Sequence, residues 1–109
     1  MWISTPAGSS SAARAAGGKL LPLYSKKLQY VVREAYIAGD KPPYRFTHGI
    51  IEGRETLWIA SRLPNARAYI DGTAHEQVVG FNDELSFSID PRPLRLFGRS
   101  KVMDALHKR

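Results

Sequence analysis

The chain has 109 residues, is 43% hydrophobic and 24% charged, contains no cysteine and carries a formal net charge of +6. This is the composition of a folded domain and not of a disordered chain, and the lack of cysteine excludes disulfides and thiolate metal sites and fits a reducing compartment. No apolar run approaches the roughly 20 residues of a membrane span, and Met1 to Arg14 has no apolar core of the secretory kind, so a soluble, cytoplasmic protein with no membrane partner is expected.

The first element is a stub. Only Trp2 and Ile3 precede Ser4, whereas strands usually run to about five or six residues. A hydroxyl-rich turn follows, Ser4-Thr5-Pro6-Ala7-Gly8-Ser9-Ser10-Ser11, then an alanine-rich run closed by Gly17-Gly18. Strand, tight turn and helix N-terminus would present backbone N–H groups and hydroxyls at the positive end of a helix dipole, suited to phosphate or ribose oxygens. The same residues also read as an ordinary capped helix, with Ser9, Ser10 or Ser11 as the cap and Gly17 or Gly18 in the left-handed C-terminal position.

The rest of the chain alternates as strands do. Leu28 to Glu34 is rich in β-formers and ends in Gly39-Asp40-Lys41-Pro42-Pro43, which cannot continue a strand. Tyr44 to Ile51 comes next, then a Glu52-Gly53-Arg54 turn and Thr56 to Ser61, with Leu57 and Ile59 on one face and Trp58 on the other. Arg67 to Asp71 and His75 to Val79 flank the Asp71-Gly72 hairpin signal. After an Asn82-Asp83 turn, Glu84 to Asp90 sets Leu85, Phe87 and Ile89 against Ser86 and Ser88, and Leu94 to Phe97 makes a last strand. Strands at these intervals predict a mainly β fold, an antiparallel sandwich-like domain with one short N-terminal helix. The basic tail from Arg99 to Arg109 has Ser100 as a cap for a second short helix, with Val102, Met103 and Leu106 on one edge.

The polar residues carry little other chemistry. His48, His75 and His107 are too widely spaced for a metal site. Asp71 beside Gly72 is explained by its turn, and neither a Gly-x-Ser-x-Gly elbow nor a Walker Gly-Lys-Ser/Thr is present. The positive balance suits nucleotide phosphates or a nucleic acid backbone, but the lysines and arginines are scattered as on solvated faces, which makes nucleic acid the lesser expectation.

The run from Ser4 through Ala12 to Ala16-Gly17-Gly18 resembles the Ser-Thr-Pro-Thr-Gly-Ser-Thr-Ala-Tyr to Ala-Gly-Gly signature of the ATP-dependent NAD kinase family. Ala68-Tyr69-Ile70-Asp71-Gly72-Thr73, Phe81 to Ile89 and Leu94 to Gly98 are similar, in the same order, to that family's C-terminal pattern. The resemblance implies a C-terminal, mostly β domain over residues 1–98, an NAD-type dinucleotide as partner, and substrate contacts from Gly8, Ser9, Ser10 and Ser11. For the whole enzyme it implies phosphoryl transfer from ATP or another donor to the ribose 2′-hydroxyl, a divalent metal, and assembly as a homo-oligomer. The family's Gly-Gly-Asp-Gly-Thr loop, whose Asp is the candidate catalytic carboxylate, does not occur here. The resemblance therefore implies a partner N-terminal kinase domain and no catalytic residue in this chain. Ala12 stands at the family's Tyr and Ala15 at a Ser, which marks a divergent branch. Two other expectations remain beside it: a small basic β module that binds nucleic acid or protein through Tyr30, Tyr36, Tyr44 and neighbouring arginines, or a truncated fragment with no function of its own.

Overall fold

β2 (Lys27–Val31) organises the N-terminal half of the chain. In the computed structural model, which describes residues 1–41, 44–93 and 95, it is the middle strand of a three-stranded sheet. β1 (Trp2–Ser4) pairs antiparallel with one edge of it, Trp2 opposite Val31 and Ser4 opposite Gln29. β3 (His48–Glu52) pairs with the other edge, Lys27 opposite Glu52 and Val31 opposite His48. Because side chains alternate along a strand, Lys27, Gln29 and Val31 share one face with Trp2 and Ser4. Leu28 and Tyr30 share the other face with Ile3, Gly49 and Ile51.

Two cross-strand pairs hold this register. Lys27 and Glu52 form an ion pair at 3.0 Å, and at its exposure such a pair contributes less than about 1 kcal/mol. Tyr30 lies over Gly49, where a Cβ would come within 2.6 Å of the ring. A strand glycine thus leaves room for an aromatic ring to cover the neighbouring backbone.

Between β1 and β2 the chain makes a 3-10 turn (Ala7–Ser10) and α1 (Ala12–Ala15). The predicted helix is therefore a single turn. The reason lies at its C-terminus, where Gly17 adopts φ +95° and the N–H groups of Gly17 and Gly18 donate to the carbonyls of Arg14 and Ala13 at 3.0 and 2.8 Å. This is the Schellman pattern, which ends a helix by reversing the chain. Gly18 is then pressed against the sheet. A Cβ there would lie 2.6 Å from the Ala13 carbonyl oxygen and 2.9 Å from both Gln29 Oε1 and Val31 Cγ2.

The chain divides into two compact units, residues 1–55 with 88–109, and residues 56–87. Among the described residues, the buried apolar side chains of the first are Ala13, Leu21, Val31 and Ile51. The second holds β4 (Thr56–Ala60), the hairpin of β5 (Ala66–Ile70) and β6 (His75–Val79), and all but the last residue of β7 (Glu84–Ser88). β4 pairs with β7. Ser61, just past β4, exchanges backbone hydrogen bonds with Asn82 and Asp83, just before β7, so the end of one strand lies beside the start of the other. β5 and β6 pair antiparallel from Ala66–Val79 to Ile70–His75 around Asp71 and Gly72, both at positive φ.

The expected mainly β, antiparallel fold is what forms, in three small sheets among the described residues. β2 stops at Val31, short of the expected Glu34, which sits at φ +51°. β3 begins at His48 and not at Tyr44. The expected strand from Leu94 to Phe97, of which only Arg95 is described, and the tail helix after Ser100 lie outside the described residues.

Candidate functional site

The hydroxyl-rich turn contains four serines in three environments. Ser9 is fully buried. Its Oγ donates to the Pro6 carbonyl at 2.7 Å and accepts the Leu21 N–H at 2.9 Å, tying the start of the turn to the segment that leads into β2. Ser11 is exposed and its Oγ donates to the Gly8 carbonyl at 3.0 Å, which leaves its lone pairs free to accept. Ser10 is exposed and its hydroxyl has no partner among the described residues. Ser4, beneath the turn at the end of β1, has a buried Oγ without a hydrogen-bond partner.

Gly8 is half-buried, and a Cβ on it would make only ordinary contact, 3.6 Å from Ser4 Cβ. It is not forced by crowding. Nor does the turn own a helix dipole of consequence, since α1 spans only four residues and the Ser11 side chain makes no capping bond to it. What the turn does present is a row of hydroxyls. Arg14, the one charged residue between Ser4 and Gly18, donates Nη1 to the Gly18 carbonyl at 3.1 Å.

The turn keeps its shape through a residue far from it in sequence. Gln29, 2% exposed on β2, accepts the Lys19 N–H on Oε1 at 2.9 Å and donates Nε2 to the Lys19 carbonyl at 2.6 Å. One side-chain amide thus replaces the pair of bonds that a neighbouring strand would make. Sequence reasoning missed Gln29, Lys19 and Leu21. The only available signal was a polar residue on the same β2 face as Val31.

This arrangement is suited to binding, not to proton transfer. The turn contains no carboxylate and no histidine, so it can offer hydroxyl donors and acceptors to ribose or phosphate oxygens but no base. Among the described residues no group of three or more His, Cys, Asp or Glu side chains is placed to hold a metal ion. His48 is exposed, its ring 3.3 Å from the Thr47 hydroxyl, and His75 stands in the hairpin opposite Ile70. Asp71 serves the turn expected of it. Elsewhere Asp90 is held below the usual carboxylate range by the side chain and N–H of Arg92, whose guanidinium is raised in return. Among the described residues no helix is long and apolar enough to cross a membrane.

The aromatic residues of the alternative binding reading do not act together. Tyr30 is half-buried over Gly49, whereas Tyr36, Tyr44 and Phe46 are exposed in the segment between β2 and β3. There Arg45 lies over the Phe46 ring at 5.5 Å.

The chain is 30% identical over 96 residues to a probable NADH kinase of Oryza sativa subsp. japonica, covering 86% of this chain and 29% of that protein. It is likewise 30% identical over 95 residues to an NADH kinase of Arabidopsis thaliana, covering 87% of this chain and 29% of the relative. The chain thus spans less than a third of the length of these curated relatives. No protein-family model matches it, and no solved structure does.

Proposed function

Because the chain is NAD kinase-like over most of its length, we propose that it is the C-terminal, nucleotide-binding part of an enzyme that phosphorylates an NAD-type dinucleotide with a nucleotide phosphate donor. Residues 1–98 form the NAD kinase-like region, and residues 99–109 a basic tail. Gly8, Ser10 and Ser11 contribute backbone and hydroxyl contacts to the dinucleotide. Ser9 shapes that surface from below, since its hydroxyl is spent on the Pro6 carbonyl and the Leu21 N–H. The catalytic carboxylate, the phosphate donor's site and the metal belong to a separate N-terminal kinase domain, and the reaction contributes to NADP supply.

The observation that carries this reading is the coincidence of the kinase-like sequence with a turn whose Ser10 hydroxyl has no partner among the described residues and whose Ser11 hydroxyl, bonded to Gly8, can still accept. Its test is direct. The purified 109-residue protein should form no NADP or NADPH from NAD or NADH and ATP, yet should bind NADH with an affinity that falls several-fold in Ser10→Ala/Ser11→Ala. Turnover by the purified chain would overturn the division of labour. Unchanged NADH affinity in the double variant would overturn the assignment of the turn.

A second reading, a basic module that binds nucleic acid or protein, is favoured by one observation. Tyr36, Tyr44 and Phe46 are 65–75% exposed in a segment with Arg33, Lys41 and Arg45. Oligonucleotide binding that persists at moderate salt, without NADH binding, would select it.

A further inference from the structure

A groove of about 430 Å³ is lined by Lys26, the turn 53–55 and the segment 88–91. All of these residues belong to the first compact unit. The volume falls in the range of small-molecule sites, about 300–1,000 Å³. Ile89 and Pro91 give the groove apolar surface, and Gly53, at φ +56°, turns the chain tightly beside it.

Its four charged side chains are not equivalent. Both acids are already engaged. Glu55 accepts the Glu52 N–H at 2.9 Å, and the Asp90 carboxylate takes the N–H, Nε and Nη2 of Arg92 at 2.9, 3.2 and 3.0 Å. The cations Lys26 and Arg54 have neither an ion pair nor a hydrogen bond among the described residues. Neighbouring Lys27 is committed to Glu52. With Asp90 balanced by Arg92, the two unpaired cations outnumber Glu55, the one lining carboxylate without a cation, and this concave surface favours an anion.

The kind of anion follows from the donors. A guanidinium offers a planar fork and an ammonium a mobile point charge, a combination that matches the several oxygens of a phosphate carrying about −1.5 to −2 charge at neutral pH. The geometry points to a binding site for a small phosphomonoester of nucleoside-monophosphate size, its phosphate held by Arg54 and Lys26 and its flat body laid on Ile89 and Pro91. This site shares no residue with the hydroxyl-rich turn and stands or falls apart from the kinase reading.

The test is a titration of the isotopically labelled 109-residue chain with 5′-AMP, followed by amide NMR, with adenosine and inorganic phosphate run in parallel. AMP should give saturable shifts at Gly53, Arg54, Glu55, Ser88, Ile89 and Asp90, with weaker binding of phosphate and adenosine at the same amides. Lys26→Ala/Arg54→Ala should weaken AMP binding at least about tenfold, and the single Arg54→Gln variant, which keeps a polar side chain of similar reach, should weaken it several-fold. Absence of saturation by AMP would overturn the proposal. So would shifts confined to residues 4–11, or equal affinity in the wild-type and Arg54→Gln chains.

Discussion

The hydroxyl-rich turn packed on β1–β3 and the β5–β6 hairpin are both short local structures, but they are held by different physics. The turn is fastened from outside itself. Ser9 reaches Leu21, Gln29 reaches Lys19, and Ala13, Leu21 and Val31 are each less than 5% exposed. The hairpin relies on its own Asp71-Gly72 turn and its ladder. Of its apolar side chains Tyr69, Ile70 and Val78 are more than half exposed, and Val79 alone is buried. A two-stranded hairpin by itself is marginal in water. The comparison teaches that regular hydrogen bonding does not rank local stability here. Buried polar groups that reach across the chain outrank it, because breaking them strands desolvated backbone.

Substitutions on the two regions should therefore differ sharply. Gly18→Ala sets a Cβ against the Ala13 carbonyl, the Gln29 amide and Val31 at once, and should lower stability by about 3 kcal/mol in urea unfolding. Gln29→Leu keeps an apolar side chain on β2 but abandons both bonds to Lys19, and should cost about 2 kcal/mol by the same measurement. Tyr69→Ala on the hairpin should change stability by no more than about 0.5 kcal/mol. A loss at Tyr69 as large as that at Gln29 would break the comparison, and it would show that the hairpin's exposed side chains are covered in solution.

Much of the strand pattern could be read from alternation. Leu57 and Ile59 are half-buried while Trp58 is 67% exposed, and Leu85 and Phe87 face inward against Ser86 and Ser88, as period two requires. Asp71-Gly72 announced its hairpin through residues that tolerate positive φ. The start of β3 was not legible, because Tyr44 and Phe46 have strand-forming side chains but lie exposed in the segment between β2 and β3. The division of labour among Ser9, Ser10 and Ser11 was not legible either. Three adjacent serines look alike in a sequence, and what separates Ser9 is the Leu21 N–H, twelve residues away. Gln29 was hidden for the same reason, since its partner Lys19 is ten residues distant.

The clamp on Lys19 also makes the turn a readout of strand register. Gln29 reaches Lys19 only while β2 pairs with β1 so that Ser4 stands opposite Gln29. A slip of one residue would send Gln29 to the opposite face and bring Leu28 or Tyr30 against the turn. Lys19 would lose both its bonds, and Gly18 would meet a larger neighbour in place of Val31 and the Gln29 amide. A mispaired sheet would thus lose the Lys19 clamp, and with it a support of the hydroxyl-rich turn.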